Sequence, residues 1–301
     1  MNQSPIATLP TRRIAVHGLH LNVLDEGEGE AVLLIHGFPD SHRVWRHQIP
    51  ALLEAGWRVI APDLRGFGAS DRPEGVEAYG LMQSVQDLIA LLDHLGVGRA
   101  HVVCHDFGAA VGWLLAASQP QRVISLVAMS VGHLNAMRLA GPDQRAMSWY
   151  MLLFQFEELA EQLLERQDWA LLRDWGGHHP EVEQWISDLS RPGALTAALN
   201  WYRANQHPRR WLDAPAMVPP VAVPTLSMWS TGDVYLGEAQ VVRTPEFVTG
   251  PWRYERLVGA GHWLQLDRPA EVTRLLLGFL ADTRNAPAPA PTEAEAREAT
   301  A

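Results

Sequence analysis

The sequence predicts an α/β protein in which a mostly parallel β-sheet is covered by helices, with a helical insertion. Short apolar runs of strand length alternate with longer segments of helical periodicity along most of the chain. This alternation stops between about residues 131 and 220, where the sequence is helical in pattern and rich in tryptophan. A chain of 301 residues, 47% of them hydrophobic, is long enough to bury a large core and carry an inserted part.

Six short apolar runs are the strand candidates. In chain order they are residues 31–35, 58–61, 101–104, 124–129, 225–229 and 254–258. Residues 81–95 have the spacing of a helix with one buried face, formed by Leu81, Val85, Leu88, Leu91 and Leu92.

Residues 132–220 are predicted to form a helical cap domain, and residues 1–131 and 221–283 to form the core domain. Half of the twelve tryptophans lie in the cap segment, namely Trp149, Trp169, Trp175, Trp185, Trp201 and Trp211. They either fill the small core of the cap or face a cavity, and the sequence leaves both alternatives open. Residues 284–301 are predicted to be disordered because they contain no large apolar side chain.

Composition excludes several classes of function. The net charge of -10 and the absence of a basic stripe argue against a nucleic-acid partner. All 24 cationic side chains are arginine, so neither a lysine Schiff base nor a P-loop lysine is available. The single cysteine, Cys104, excludes an intramolecular disulfide. Together with the lack of a signal-like segment or an 18-residue apolar run, it predicts a cytoplasmic protein without a membrane partner.

The candidate nucleophile is Asp106. The strand candidate that ends at Cys104 runs into His105, Asp106, Phe107 and Gly108 and then into a helix-forming stretch, and a sharp strand-to-helix turn exposes its central side chain. A serine that opened an epoxide would form a stable ether, whereas a carboxylate forms an ester that water can cleave. The alternative is that Asp106 only caps the following helix.

A base and its orienting acid follow in the chain order expected of this architecture. His262 lies on a loop after a strand candidate, where it can reach Asp106 and activate water. Asp233 follows the strand candidate 225–229 and can hold the imidazole, although a simple turn aspartate is the alternative. His105 and His36 are interpreted as structural residues.

Two backbone amides are candidates for the oxyanion hole. The loop after the strand candidate 31–35 can supply the amide of Phe38, and the amide of Phe107 follows the nucleophile. Their side chains are then free to line the substrate pocket.

Together these segments resemble the epoxide hydrolase branch of the α/β-hydrolase superfamily. The similarity extends from about residue 13 to residue 281 and includes HGFPDS at 36–41, DLRGFGASDRP at 63–73, HDFGA at 105–109, TGD at 231–233 and GHW at 261–263. It implies an eight-stranded, mostly parallel sheet with a cap, and a covalent aspartyl ester intermediate. Two departures are Phe107 and Cys104, which stand where the family often has tryptophan and glycine.

The resemblance also implies two tyrosines that donate to the epoxide oxygen. Tyr202 lies in NWYR at 200–203 and Tyr150 in SWYMLLFQF at 148–156, and phenols remain protonated at neutral pH. Packing tyrosines are the alternative. Phe38, Phe107, Trp149, Met151 and Trp263 are the predicted substrate-binding residues.

The predicted reaction is the addition of water to an apolar alkyl or aryl epoxide, which gives a vicinal diol. A haloalkane or haloacetate dehalogenase is the nearest alternative, but Phe107 supplies neither the indole donor nor the arginine that those families place there. A serine esterase lacks its serine, and a non-catalytic ligand-binding protein would be expected to have lost a catalytic group. No metal or organic cofactor is expected, since His178 and His179 lack a ligand spacing. A homodimer is one alternative for the assembly, which the sequence leaves open.

Overall fold

The computed structural model describes residues 9–211 and 217–284. Eight strands form one sheet in the order β1-β2-β4-β3-β5-β6-β7-β8. Their bounds are Thr11–Val16 (β1), Leu19–Glu26 (β2), Ala31–Ile35 (β3), Arg58–Pro62 (β4), Ala100–His105 (β5), Val123–Met129 (β6), Thr225–Ser230 (β7) and Trp252–Leu257 (β8). The predicted α/β class is therefore confirmed.

The sheet is antiparallel at one edge and parallel elsewhere. β1 pairs antiparallel with β2, and β2 antiparallel with β4, whereas β3 to β8 pair in parallel with their neighbours. All residues of β3, β5 and β6 are buried, as expected for central strands covered by helices on both faces. The parallel strands place their carboxyl ends at one edge of the sheet, where the loops that follow them meet.

Six helices flank the sheet. They are α1 (Gln48–Glu54), α2 (Leu81–His94), α3 (Phe107–Ser118), α10 (Glu238–Val242), α11 (Leu264–Asp267) and α12 (Pro269–Thr283). Helix α2 matches the predicted helix within one residue and buries its Val85, Leu88, Leu91 and Leu92 face.

The insertion between β6 and β7 is helical in its described residues. It contains α4 (Leu134–Arg138), α5 (Gly141–Met147), α6 (Trp149–Leu153), α7 (Leu159–Trp175), α8 (Val182–Leu189) and α9 (Ala194–Asn205), with non-helical backbone at Arg166–Trp169 inside α7. Trp185 and Trp201 are fully buried and Trp169 is nearly so, whereas Trp149 is half exposed. Within the described ranges, every helix is too short or too polar to span a lipid bilayer.

Two strand predictions need correction. The hairpin of β1 and β2 was not among the six candidates, because its exposed face carries charged side chains and its apolar positions only alternate. The last strand begins at Trp252 rather than at Tyr254, and Val258 lies outside it, with 69% of its surface exposed. β8 is the edge strand, so it is less apolar than the central strands. Of the tail predicted to be disordered, residues 285–301 lie outside the described residues.

Candidate active site

Asp106 lies at the sharp turn between β5 and α3. Its backbone adopts φ 52° and ψ −126°, a strained conformation for a residue with a side chain. The turn requires glycine at its neighbours: a Cβ on Gly108 would lie 2.3 Å from the carbonyl oxygen of His36, and one on Gly37 would lie 2.5 Å from Oδ1 of Asp106. The strand-to-helix turn is thus built by close packing of β3 and β5 ends, and it pushes the Asp106 side chain out over the sheet edge.

The carboxylate of Asp106 is held by backbone amides on one side and by an imidazole on the other. The Phe38 N–H donates to Oδ1 over 2.8 Å, and the Phe107 N–H also donates to the carboxylate. Nε2 of His262 lies 3.5 Å from Oδ2. Burial alone would raise the pKa of Asp106, but the hydrogen bond and charge of His262 outweigh it and lower the pKa below its ordinary value. Asp106 is therefore ionised at neutral pH.

His262 is fixed by Asp233. Oδ2 of Asp233 lies 2.8 Å from Nδ1 of His262, and Oδ1 accepts from the backbone amides of Tyr235 and Leu236, both at 2.9 Å. Burial disfavours the imidazolium, yet the charge of Asp233 and the contacts with Asp106 raise the pKa of His262 to about 10. The loops after β7 and β8 thus bring the predicted acid and base together beside Asp106.

The two other histidines near the nucleophile, His105 and His36, form hydrogen bonds with backbone groups. Nε2 of His105 donates to the carbonyl oxygen of His262 over 2.9 Å, and burial lowers the pKa of His105 to about 4. Nε2 of His36 accepts from the Leu64 amide, so its Nδ1 carries the proton and donates to Gly37 O. Both rings are neutral, in agreement with their interpretation as structural residues.

Tyr150 and Tyr202 face each other in an aromatic group above the nucleophile, with ring centroids 5.9 Å apart. The ring of Tyr202 packs edge-on against Phe107 at 4.7 Å and against Phe38 at 5.3 Å. Burial raises the pKa of both phenols well above 10, and the negative charge of Asp106 adds to this effect. The structure therefore brings two protonated phenols of the helical insertion together, with Tyr202 packed on the two residues whose amides bind the Asp106 carboxylate.

The predicted substrate-binding residues divide into two groups. Phe38, Phe107 and Trp263 are buried around the nucleophile and base, and Met151 is partly buried against the core. Trp149 instead lies on the surface with 51% of its area exposed. Consecutive helical residues point about 100° apart, so when Tyr150 of α6 faces inward its predecessor faces outward. Trp149 therefore lies outside the buried group of rings, and its role in substrate binding stays a prediction.

Two residues of the site, Asp40 and Tyr235, were not predicted from the sequence. Asp40 is buried and accepts from two indoles, Trp185 Nε1 at 2.8 Å and Trp263 Nε1 at 2.9 Å. Tyr235 packs on the His262 ring at 5.1 Å and donates its hydroxyl to the carbonyl oxygen of Trp175. Asp40 lies inside the HGFPDS segment, and Tyr235 lies two residues after Asp233. Their closeness to these motifs is the sequence feature that could have identified them as site residues.

In the part of the chain that the structure describes, no three His, Cys, Asp or Glu side chains are grouped so that they could hold a metal ion. His178 and His179 pair with single carboxylates, Asp174 and Asp267.

Comparison with known proteins agrees with this geometry. Residues 30–269 match the family model for the alpha/beta hydrolase fold. Epoxide hydrolase A of Mycobacterium tuberculosis is 36% identical, with 90% of this chain and 97% of the relative aligned. Epoxide hydrolase 3 of Xenopus tropicalis is 33% identical, over 89% of this chain and 76% of the relative. The chain belongs to the epoxide hydrolase family of the α/β-hydrolase fold.

Solved structures show the same architecture in other epoxide hydrolases. Epoxide hydrolase A from Mycobacterium thermoresistibile superposes with a TM-score of 0.76 at 32% identity, covering 90% of this chain and 98% of that one. An epoxide hydrolase from Bacillus megaterium in complex with an inhibitor gives a TM-score of 0.81 at 28% identity, covering 90% and 100%. The eight-stranded sheet with its inserted helices is thus the fold of this family.

Proposed function

We propose that this epoxide hydrolase converts an apolar alkyl or aryl epoxide and water into a vicinal diol through an ester on Asp106. The observation that carries the proposal is the position of an ionised carboxylate between two backbone amides and an imidazole. Two protonated phenols pack together beside Phe38 and Phe107, the residues that supply those amides. The names of the relatives support the same reaction class.

In the first step, Asp106 attacks one epoxide carbon and the C–O bond of the ring breaks. The departing oxygen would be an alkoxide, which is a poor leaving group, so it needs an acid within reach. Tyr150 and Tyr202 are the donors in this proposal, because their raised pKa values keep both phenols protonated. The product of this step is a hydroxyalkyl ester of Asp106.

The proton balance of the first step follows from the pair of Asp106 and His262. In the free enzyme the negative carboxylate favours a protonated His262. When Asp106 becomes a neutral ester, that electrostatic support disappears and the pKa of His262 falls. The phenols deliver a proton to the alkoxide, and the proton that leaves His262 replaces it on the phenols. His262 is therefore neutral at the start of the second step, which needs a base.

In the second step, neutral His262 takes a proton from water, and the resulting hydroxide attacks the ester carbonyl. The amides of Phe38 and Phe107 already point at the carboxylate oxygens and would receive the negative charge of the tetrahedral intermediate. Collapse of the intermediate breaks the ester C–O bond, and the leaving alkoxide takes the proton of the newly added hydroxyl to give the diol. The carboxylate is thereby restored beside a protonated His262. Asp233 stabilises that imidazolium through its contact with Nδ1.

The pocket walls indicate the substrate class. The rings of Phe38, Phe107, Phe154 and Trp175 pack against the two phenols, so the site favours uncharged alkyl or aryl epoxides. We further propose that residues 132–220 act as a cap domain that supplies the phenols and excludes water. The single buried thiol of Cys104 is compatible with a cytoplasmic location.

Trapping of the ester tests the proposal. The variant His262→Gln should still form the ester but fail to hydrolyse it, so intact-mass analysis after addition of styrene oxide should show a persistent adduct. Peptide mapping should place that adduct on Asp106, and the double variant with Asp106→Asn should remain unmodified. An unmodified His262→Gln protein under saturating substrate would contradict the covalent route.

Isotope labelling gives an independent test. In a single turnover with excess enzyme in heavy-oxygen water, the label should enter the peptide that contains Asp106, and the first diol should remain unlabelled. Label in that first diol would mean that water attacks the epoxide directly. Parallel measurement of chloride release from haloalkanes separates this reaction from dehalogenation, for which Phe107 lacks an N–H donor.

A further inference from the structure

A surface depression of about 350 Å³ lies at the junction of the helical insertion and the loop after β7. Its volume is in the lower part of the range of small-molecule sites. The described residues that line it are apolar or aromatic apart from Asp174, and they comprise Met147, Trp149, Leu171, Trp175, Val234 and Tyr235.

The outer rim of this depression is an exposed apolar surface. Trp149 is 51% exposed on the insertion side, and Val234 is 66% exposed on the opposite side. Large side chains of this kind on a surface mark places where an apolar ligand or partner makes contact. The rim lies at a depression leading toward buried aromatic rings, so a small apolar molecule fits it better than a flat protein surface.

The floor of the depression is also the wall of the active site. Trp175 and Tyr235 line the depression, and their rings lie 4.8 Å apart. On the inner side, the Tyr235 ring lies 5.1 Å from His262 and the Trp175 ring lies 5.4 Å from Tyr150. A single layer of side chains therefore separates the depression from the base and from one phenol.

This layer joins the insertion to the core, and both of its rings also pack against the ring of Tyr150. The Tyr235 hydroxyl donates to the carbonyl oxygen of Trp175, and this joins the insertion to the loop after β7. Trp175 is the last residue of α7, and Gly176 follows it as the C-cap of that helix. Rotation of these two rings would connect the outside directly with the space between Asp106 and the phenols.

We propose that the depression between Trp149 and Val234 is the entrance through which the epoxide reaches the active site, with Trp175 and Tyr235 as its gate. The proposal rests on the proposed epoxide hydrolase function. It adds the path by which the epoxide enters and the two residues that would select epoxides by their molecular width. A second depression, of about 460 Å³, is lined mainly by charged and polar side chains, including Glu157, Glu161 and Arg203. An uncharged aryl epoxide would gain little from such a lining.

Reversible blocking of the entrance tests the proposal. Cys104 is buried, and burial raises the pKa of its thiol, so a cysteine introduced on the surface can be labelled selectively. Val234→Cys would be labelled with a bulky aromatic methanethiosulfonate or with its methyl analogue. The bulky label should lower kcat/KM for styrene oxide about tenfold or more, the methyl label by less than about twofold, and a reductant should restore activity.

A matched control uses the second depression. Thr196 lines it and is exposed, and Thr196→Cys carrying the same bulky label should keep its kcat/KM for styrene oxide within about twofold. The labelled Val234→Cys protein should also retain more of its activity toward epoxypropane than toward styrene oxide, because the smaller epoxide passes a narrowed opening.

The outcomes separate this proposal from the function on which it rests. If unlabelled Val234→Cys forms diol but complete bulky labelling leaves its kcat/KM for styrene oxide unchanged, the entrance is elsewhere and the function stands. Equal loss in labelled Thr196→Cys, or equal loss for both epoxides, would also overturn the proposal. If neither the wild-type chain nor the unlabelled variant forms diol from any epoxide, the proposed function itself fails.

Discussion

Substitution of the buried carboxyl of Asp40 by an amide should make the stability of the protein less dependent on pH. Asp40 is 7% exposed, and burial raises its pKa to about 7, although the hydrogen bonds from the indoles of Trp185 and Trp263 act in the opposite direction. Between about pH 4 and pH 7 the folded protein keeps a proton on Asp40 that the unfolded chain has released. Raising the pH through this window therefore lowers the free energy of unfolding.

The size of this effect follows from the two pKa values. Each tenfold change in proton affinity corresponds to about 1.4 kcal/mol, so a rise from 3.8 to about 7 limits the total effect to roughly 4 kcal/mol. Evaluated between pH 5 and pH 8, the contribution of Asp40 to the free energy of unfolding decreases by roughly 2.5 kcal/mol. Asp40→Asn removes the titration but keeps the size of the side chain. The free energy of unfolding of Asp40→Asn, relative to wild type, should therefore rise by about this amount over the interval.

Urea denaturation of both proteins at pH 5, 6, 7 and 8 measures this difference. The amide can accept a hydrogen bond from only one indole, but that loss is the same at every pH and does not affect the slope. Asp25→Asn is a suitable control, because interactions with Arg58 and Arg12 outweigh burial and lower the pKa of Asp25. That carboxyl is ionised throughout the interval, so its variant should show a constant difference. A constant difference for Asp40→Asn would refute the reasoning.

Four further substitutions test the site and the fold. Tyr202→Phe should slow formation of the Asp106 ester about 10- to 100-fold in stopped-flow experiments, and an unchanged rate would remove this phenol from the mechanism. Asp233→Asn should slow hydrolysis of the ester roughly a thousandfold, so ester accumulation during turnover is the measurement. Gly108→Ala should destabilise the fold by about 1–3 kcal/mol, since its Cβ would lie 2.3 Å from a backbone carbonyl. In contrast, Gly278→Ala has open space and should stabilise by about 0.5–1 kcal/mol in thermal denaturation.

The parts of the fold that could be predicted from the sequence are those with the strongest local pattern. The central strand Ala31–Ile35 is a continuous apolar run, and the predicted and observed bounds are the same. The hairpin of β1 and β2 was missed because its exposed positions carry polar and charged side chains, and only pairing with β4 identifies it as part of the sheet. Edge strands depend on partners that a single sequence does not show.

The site residues that could be predicted are those of a suitable chemical type that follow a predicted strand. Asp106, Asp233 and His262 each follow a strand, and parallel strands necessarily bring such residues to one edge. The half-exposed position of Trp149 could not be predicted, because a motif match does not specify which helical face points inward. Asp40 was missed because its partners are Trp185 and Trp263, which lie 145 and 223 residues away along the chain.

The position of Asp40 explains how a buried carboxylate with a raised pKa can be useful to this enzyme. Its two oxygens accept from Trp185 of α8 and from Trp263, whose ring packs edge-on against His262 at 5.0 Å. Its own backbone amide closes the turn that presents the Phe38 N–H to Asp106. One buried carboxyl side chain therefore joins the insertion, the base loop and an oxyanion donor. Only a carboxylate offers acceptors to both indoles, so an amide at this position would leave one buried N–H without its partner.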